Sequence, residues 1–172
     1  MTTARFFGYG SLVNLRTHAY PLIGLTQVPG WRRIWRCVAG IDHAVLSVTR
    51  DPTSTLDGVT AQVLNDDWAA LDQRERLYVR HSLPDQTAIY EVMENIVDGP
   101  APILRSYLDV VIQGFHDHFG PAGVTRFFAT TANWQAVEDD RAAPKYPRAV
   151  TVGPEITALV DHHLAVTVKQ LM

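Results

Sequence analysis

Phe6-Phe7-Gly8-Tyr9-Gly10-Ser11-Leu12 is an aromatic run that ends in closely spaced glycines and a serine. It reads as a buried strand, beginning near Ala4, that runs into a turn at Tyr9 to Leu12. The glycines of such a turn let backbone N–H groups approach a ligand, and a nest of this kind suits a carboxylate or an oxyanion. It is not a P-loop, because no Gly-Lys-Ser/Thr follows. It is not a dinucleotide fingerprint either, because Val13 stands where the third glycine belongs. Ser11 also lacks the Gly-x-Ser-x-Gly setting of a hydrolase nucleophile. Taken alone, a glycine-rich turn after a strand is more often plain structure than a site.

Working outward, Thr26 to Arg50 carries two strand-like runs, with Trp31, Arg33 and Trp35 on one face and Arg32, Ile34 and Arg36 on the other. Asp51-Pro52 is expected to break the chain before another strand, Leu56 to Leu64. Asn65-Asp66-Asp67 supplies a cap and an acidic first turn for a helix over Asp66 to Tyr78. A turn at Leu83-Pro84-Asp85 precedes a strand over Gln86 to Val97, ended by Asp98-Gly99-Pro100. The longest helix is expected to start at Pro102, with Ile103, Tyr107, Val110, Val111 and Phe115 at helical spacing until Gly120-Pro121 stops it. A short helix over Val124 to Thr131, a loop over Glu138 to Pro147 and a last helix from Pro154 follow. Strands early and helices late indicate the α+β class, and 172 residues suit one domain over 1–172.

The 15 basic and 18 acidic residues leave a net charge of −3, which favours neither nucleic acid nor an anionic membrane and points to a small-molecule partner. One cysteine, Cys37, forms no internal disulfide and suits a reducing compartment. The absence of a signal-like N-terminus or long apolar run makes the cytoplasm the expected location.

Within the 66–78 helix, Trp68, Leu71, Glu75 and Tyr78 share one face, so a carboxylate sits on an apolar stripe. Asp72 and Arg76, four apart, pair on a more solvated face. Burial would raise the pKa of Glu75 and poise it to take and return a proton near neutral pH. From the helix alone, an ordinary ion pair with a nearby arginine is the commoner explanation. The histidines offer no metal site. His116 and His118 are two apart on a helix, His162 and His163 are adjacent, and no His-Glu-x-x-His occurs. Trp31-Arg32-Arg33-Ile34-Trp35-Arg36 mixes aromatics with arginines as nucleic-acid strands do, but the acidic balance favours a packed strand with solvated arginines.

Together these residues resemble the gamma-glutamylcyclotransferase-like superfamily. Phe7-Gly8-Tyr9-Gly10-Ser11-Leu12 is similar to its N-terminal Tyr-Gly-Ser motif, in the Tyr-Gly-Ser-Leu form of the glutathione-specific branch. Asp57-Gly58-Val59, Val63-Leu64, Trp68 and Leu71-Asp72-Gln73-Arg74-Glu75 resemble its Gly-x-Val strand and Leu-Asp-x-x-Glu helix in order and spacing. Trp31-Arg32-Arg33 resembles the strand after the family's first helix. Pro144-Lys145-Tyr146 followed by Val152-Gly153 resembles a C-terminal segment bearing a ligand-proximal tyrosine. Many members carry glycine directly after the glutamate, where this chain has Arg76.

The resemblance implies a small mixed β-barrel edged by helices. It implies Glu75 as the catalytic acid/base, Tyr9, Gly10, Ser11, Leu12 and Tyr146 as substrate-binding residues, and no cofactor and no metal. The implied reaction releases 5-oxoproline from a gamma-glutamyl substrate, whether glutathione, a gamma-glutamyl amino acid or a gamma-glutamyl amine. A non-catalytic binding module with the same pocket is the alternative, and an RNA- or partner-binding scaffold on the tryptophan-arginine strand is disfavoured by charge.

Overall fold

A computed structural model of the chain describes residues 3–171. The aromatic run is a strand at the centre of a five-stranded mixed sheet. In order across the sheet these strands are β2 (Leu22–Arg36), β3 (Val45–Gln62), β1 (Arg5–Gly8), β5 (Ala88–Glu91) and β4 (Val79–Ser82). β1 pairs antiparallel with β3 and parallel with β5. The expected barrel is not formed. β4 is four residues long and pairs with β5 alone, and the long β2–β3 hairpin ends at β2, so the sheet stays open. An α+β arrangement is present, with α1 (Trp68–Arg74), α2 (Arg105–Thr130) and α3 (Pro154–Leu171) around the sheet.

Alternation along β1 sorts its two phenylalanines into different layers. Phe7 joins Trp31, Trp35, Leu46, Val111 and Phe115 between the sheet and α2. Phe6 joins Ala61, Leu71 and Tyr90 beneath α1. Each of these large side chains contributes roughly 1.5–3 kcal/mol by leaving water. Gly58 faces β1 so closely that a Cβ would collide with the Gly8 carbonyl oxygen and the Phe7 ring, which accounts for glycine in the Asp57-Gly58-Val59 run.

Several expected boundaries are corrected. β3 runs through Asp51-Pro52, because Pro29 pairs with Thr55 and Trp31 with Arg50, leaving residues 51–54 as a bulge opposite Gly30. In that bulge Pro52 need not supply a ladder hydrogen bond. The Asp51 carboxylate accepts from Thr53 and Ser54 instead. The helix expected over 66–78 covers Trp68–Arg74, capped by the Asp67 side chain accepting from Ala69 N. It stops because Val79–Ser82 is drawn into pairing with β5, a strand the hydrophobic spacing did not indicate. The strand expected over 86–97 is a strand over Ala88–Glu91, and farther along Ile96 makes an isolated antiparallel bridge with Val38.

Ile103–Leu104 is not helical but forms β6, paired in parallel with β7 (Val137–Glu138), and α2 begins at Arg105. The expected stop at Gly120-Pro121 and the helix after it are both present, since Gly120, at φ 63° and ψ −170°, is non-helical and divides α2 into two helical parts. Arg33 is not solvated. It is 1% exposed, between the Phe115 and Phe127 rings, with its guanidinium 4.6 and 5.1 Å from their centres. It donates to the Tyr9 carbonyl at 2.8 Å and to the Asp57 carbonyl, bracing the turn after β1. Burial pulls its pKa down to about 9, against the opposing pull of Asp57. Among the described residues, no helix is long and apolar enough to cross a membrane.

Candidate active site

The turn after β1 begins with a single 3-10 turn, Ser11–Val13, whose first N–H groups have no partner within the turn. Gly10 permits the close approach of α2. A Cβ there would lie 3.0 Å from the Tyr107 hydroxyl and 3.3 Å from Leu46 Cδ2. From the other layer, α1 delivers Glu75 at its C-terminal end, where the Glu75 N–H still bonds to the Leu71 carbonyl at 2.9 Å. Tyr146 arrives on the loop after β7 and meets Tyr107 edge to face, ring centres 4.9 Å apart.

These elements enclose a cavity of about 250 Å³, and Tyr9, Gly10, Ser11, Leu12, Glu75 and Tyr146 all line it. That is smaller than the roughly 300–1,000 Å³ of drug-sized pockets, and suits an amino-acid- or dipeptide-sized ligand. The Tyr9 hydroxyl does not project freely, since it donates to the Tyr90 carbonyl at 2.6 Å. Tyr90 in turn donates to Asp72 at 2.6 Å, which ties the base of α1 to β5.

The Glu75 side chain is 13% exposed. Burial pushes its pKa up from the usual carboxylate range, and the Arg74 and Arg148 cations oppose that rise. Its surroundings are otherwise phenolic. Burial raises Tyr78 and Tyr107 far enough that both stay neutral, and the Tyr78 hydroxyl donates to the Leu46 carbonyl at 3.0 Å. A carboxyl with a raised pKa among neutral phenols has the character of a general acid/base.

Several lining residues were not singled out by sequence as site residues. Tyr107 read as helix core, Tyr78 as a member of the helical stripe, Arg74 as motif filler, and Arg148 carries no signal in the chain around it. Arg74 joins the two motifs, since its guanidinium reaches the Thr17 carbonyl at 3.0 Å, Thr17 Oγ1 at 3.1 Å and Ser11 Oγ at 3.5 Å. Among the described residues no cluster of three or more histidine, cysteine, aspartate or glutamate side chains is placed to hold a metal.

No protein-family model matches the chain, and no curated protein matches it. Solved structures do. An uncharacterised protein from Homo sapiens aligns over 94% of this chain and 99% of its own, with a TM-score of 0.56 and 15% identity. The fold is thus shared with small α+β proteins of that type. A gamma-glutamyl cyclotransferase aligns over the same 94% and 99%, with a TM-score of 0.55 and 14% identity. YkqA from Bacillus subtilis gives a TM-score of 0.61 at 13% identity over 77% of this chain and 57% of its own. At such identities the likeness is one of fold.

Proposed function

We propose that the protein is a gamma-glutamylcyclotransferase-type enzyme that releases 5-oxoproline from a gamma-glutamyl compound without a cofactor. The observation that supports this best is that the Glu75 carboxyl, largely withdrawn from water, shares one small cavity with the Gly10–Leu12 turn. The α-amine of the glutamyl group attacks its own side-chain carbonyl. A C–N bond to that amine forms, the C–N bond to the departing amine breaks, and no electron acceptor is involved.

Because attack is intramolecular, holding the glutamyl chain curled supplies much of the rate, on the order of 7 kcal/mol for well-oriented groups. The α-amine is mostly protonated at neutral pH, so a base must take a proton first. Glu75 takes it and then returns it to the departing nitrogen, a double use that a raised pKa favours. The N–H groups that open the 3-10 turn hold the substrate carboxylate or the developing oxyanion, worth roughly 3 kcal/mol per donor in comparable sites. Tyr9 braces the turn from below, and Tyr146 closes the cavity.

A second reading is a binding module that holds a gamma-glutamyl or amino-acid ligand without converting it. It is favoured by one contact, Arg74 Nε lying 3.2 Å from Glu75 Oε1, which lowers the basicity of that carboxylate. Measuring 5-oxoproline release from glutathione, gamma-glutamyl dipeptides and gamma-glutamyl amines separates the two. Turnover that disappears in Glu75→Gln while calorimetric binding persists is expected. Near-wild-type turnover by Glu75→Gln would sink the mechanism, and binding without product in the wild type would select the second reading.

A further inference from the structure

The cavity is electrically unlike the chain that builds it. The chain carries a net −3, yet the fixed charges lining the cavity are four cations, Arg74, Arg76, Lys145 and Arg148, against the single carboxylate of Glu75. Two of the cations already have counter-charges. Arg74 lies 3.2 Å from Glu75, and Lys145 Nζ lies 2.6 Å from Glu138. Among the described residues, Arg76 and Arg148 have no ion pair and no side-chain hydrogen bond.

These two guanidinium groups come from different elements. Arg76 follows Glu75 at the end of α1, so it stands beside the proposed acid/base and on the solvent side of it, being exposed. Arg148 stands two residues past Tyr146 on the loop after β7. That loop is pinned to the start of α2, because Asp140 accepts from Lys145 N at 2.9 Å and from Ser106 N at 2.8 Å. Arg148 also acts on the Glu75 carboxyl electrostatically, so its charge is felt inside the cavity. In the gamma-glutamyl reading the glutamyl group occupies the Gly10–Leu12 turn, and the departing amine the part of the same cavity lined by Arg76 and Arg148.

We infer that Arg76 and Arg148 form a leaving-group subsite selecting gamma-glutamyl compounds whose departing amine carries two carboxylates. Gamma-glutamyl derivatives of acidic amino acids are preferred over those of neutral or cationic amines. This rests on the gamma-glutamyl reading above and adds the substrate class to it. Planar guanidinium groups suit carboxylates because they bind them in paired fashion, which an ammonium does not. The subsite touches only groups that keep their bonds. The bond made is still from the α-amine to the side-chain carbonyl carbon, and the proton still passes through Glu75 to the departing nitrogen.

The test compares kcat/KM for 5-oxoproline release from gamma-glutamyl-glutamate and gamma-glutamyl-butylamide, at low and at high salt, in the wild type and in an Arg76→Gln, Arg148→Gln double variant. The acidic dipeptide is expected to be preferred by about tenfold, the size two partly exposed ion pairs supply, with the preference shrinking in high salt. In the double variant the ratio is expected to fall toward one. A wild-type ratio near one, or a ratio that both salt and the double substitution leave unchanged, would overturn the subsite.

Calorimetry with the same two compounds on the Glu75→Gln variant separates this failure from failure of the enzymatic reading. If the wild type releases no 5-oxoproline but the acidic dipeptide binds about tenfold tighter, the subsite stands and the enzymatic reading falls. Equal affinities, or no binding of either compound, would overturn the subsite.

Discussion

Arg74 Nε lies 3.2 Å from Oε1 of its neighbour Glu75, and the rest of the same guanidinium is held by Thr17 through bonds of 3.0 and 3.1 Å. The cation is therefore fixed in place by the segment that follows the Ser11 turn. Two opposed influences meet on Glu75, burial raising its pKa and Arg74 restraining the rise.

Replacing Arg74 by methionine removes the restraint and leaves the burial. The folded-state pKa of Glu75 then rises further, and a higher pH is needed to hold it as a base. The acid limb of the kcat/KM profile is expected to move to higher pH in Arg74→Met, as read from initial rates across the pH range. A limb that stays in place or moves to lower pH would show that Arg74 does not set the protonation of Glu75.

Gly10 tests the cradle separately from the base. A Cβ at this position meets the Tyr107 hydroxyl at 3.0 Å, so Gly10→Val must displace either the turn or Tyr107. Substrate binding to this variant is expected to weaken by about tenfold or more, since misplacement of a bound group by an ångström is costly. An unchanged Kd by calorimetry would remove the turn from the binding site.

Asp140 tests the loop that carries Tyr146. Its carboxylate accepts from Ser106 N at 2.8 Å, Ser106 Oγ at 2.5 Å and Lys145 N at 2.9 Å, joining the start of α2 to the loop. Burial alone would raise its pKa, but these donors outweigh burial and hold it below the usual value. Its contribution is therefore present above the unfolded carboxylate pKa and lost as pH falls through the lower folded value. Asp140→Ala is expected to cost about 2–3 kcal/mol in urea unfolding at neutral pH, with a smaller difference in acid. Equal stability at neutral pH would contradict the latch.

The helix over 66–78 shows where reading from spacing reaches its end. Its apolar stripe placed Glu75 beside Leu71 on a buried side, and that side is buried. The stripe also extended to Tyr78, which lies outside the helix because Val79–Ser82 pairs with a strand that follows a turn. Nothing local marks that end, since neither glycine nor proline stands there. Pairing with the next strand overrides helical propensity when it satisfies more backbone groups. Arg33 is a parallel case. Alternation correctly put it on the face of Trp31 and Trp35, and only the presence of Phe115, Phe127 and the Tyr9 and Asp57 carbonyls made burial of its charge tolerable.

The sequence by itself determined the α+β class, the strand into the Tyr9–Leu12 turn, the long helix with its break at Gly120 and the residues worth suspecting, because these follow from period, turn chemistry and capping over short spans. Tertiary structure alone decided that the sheet stays open, that Glu75 ends its helix, and that Tyr78, Tyr107 and Arg148 share a cavity with the turn. The physical reason is distance along the chain. Tyr9 and Tyr146 come together only when α1 and α2 have packed on opposite faces of the sheet, and no local preference encodes which layers will meet.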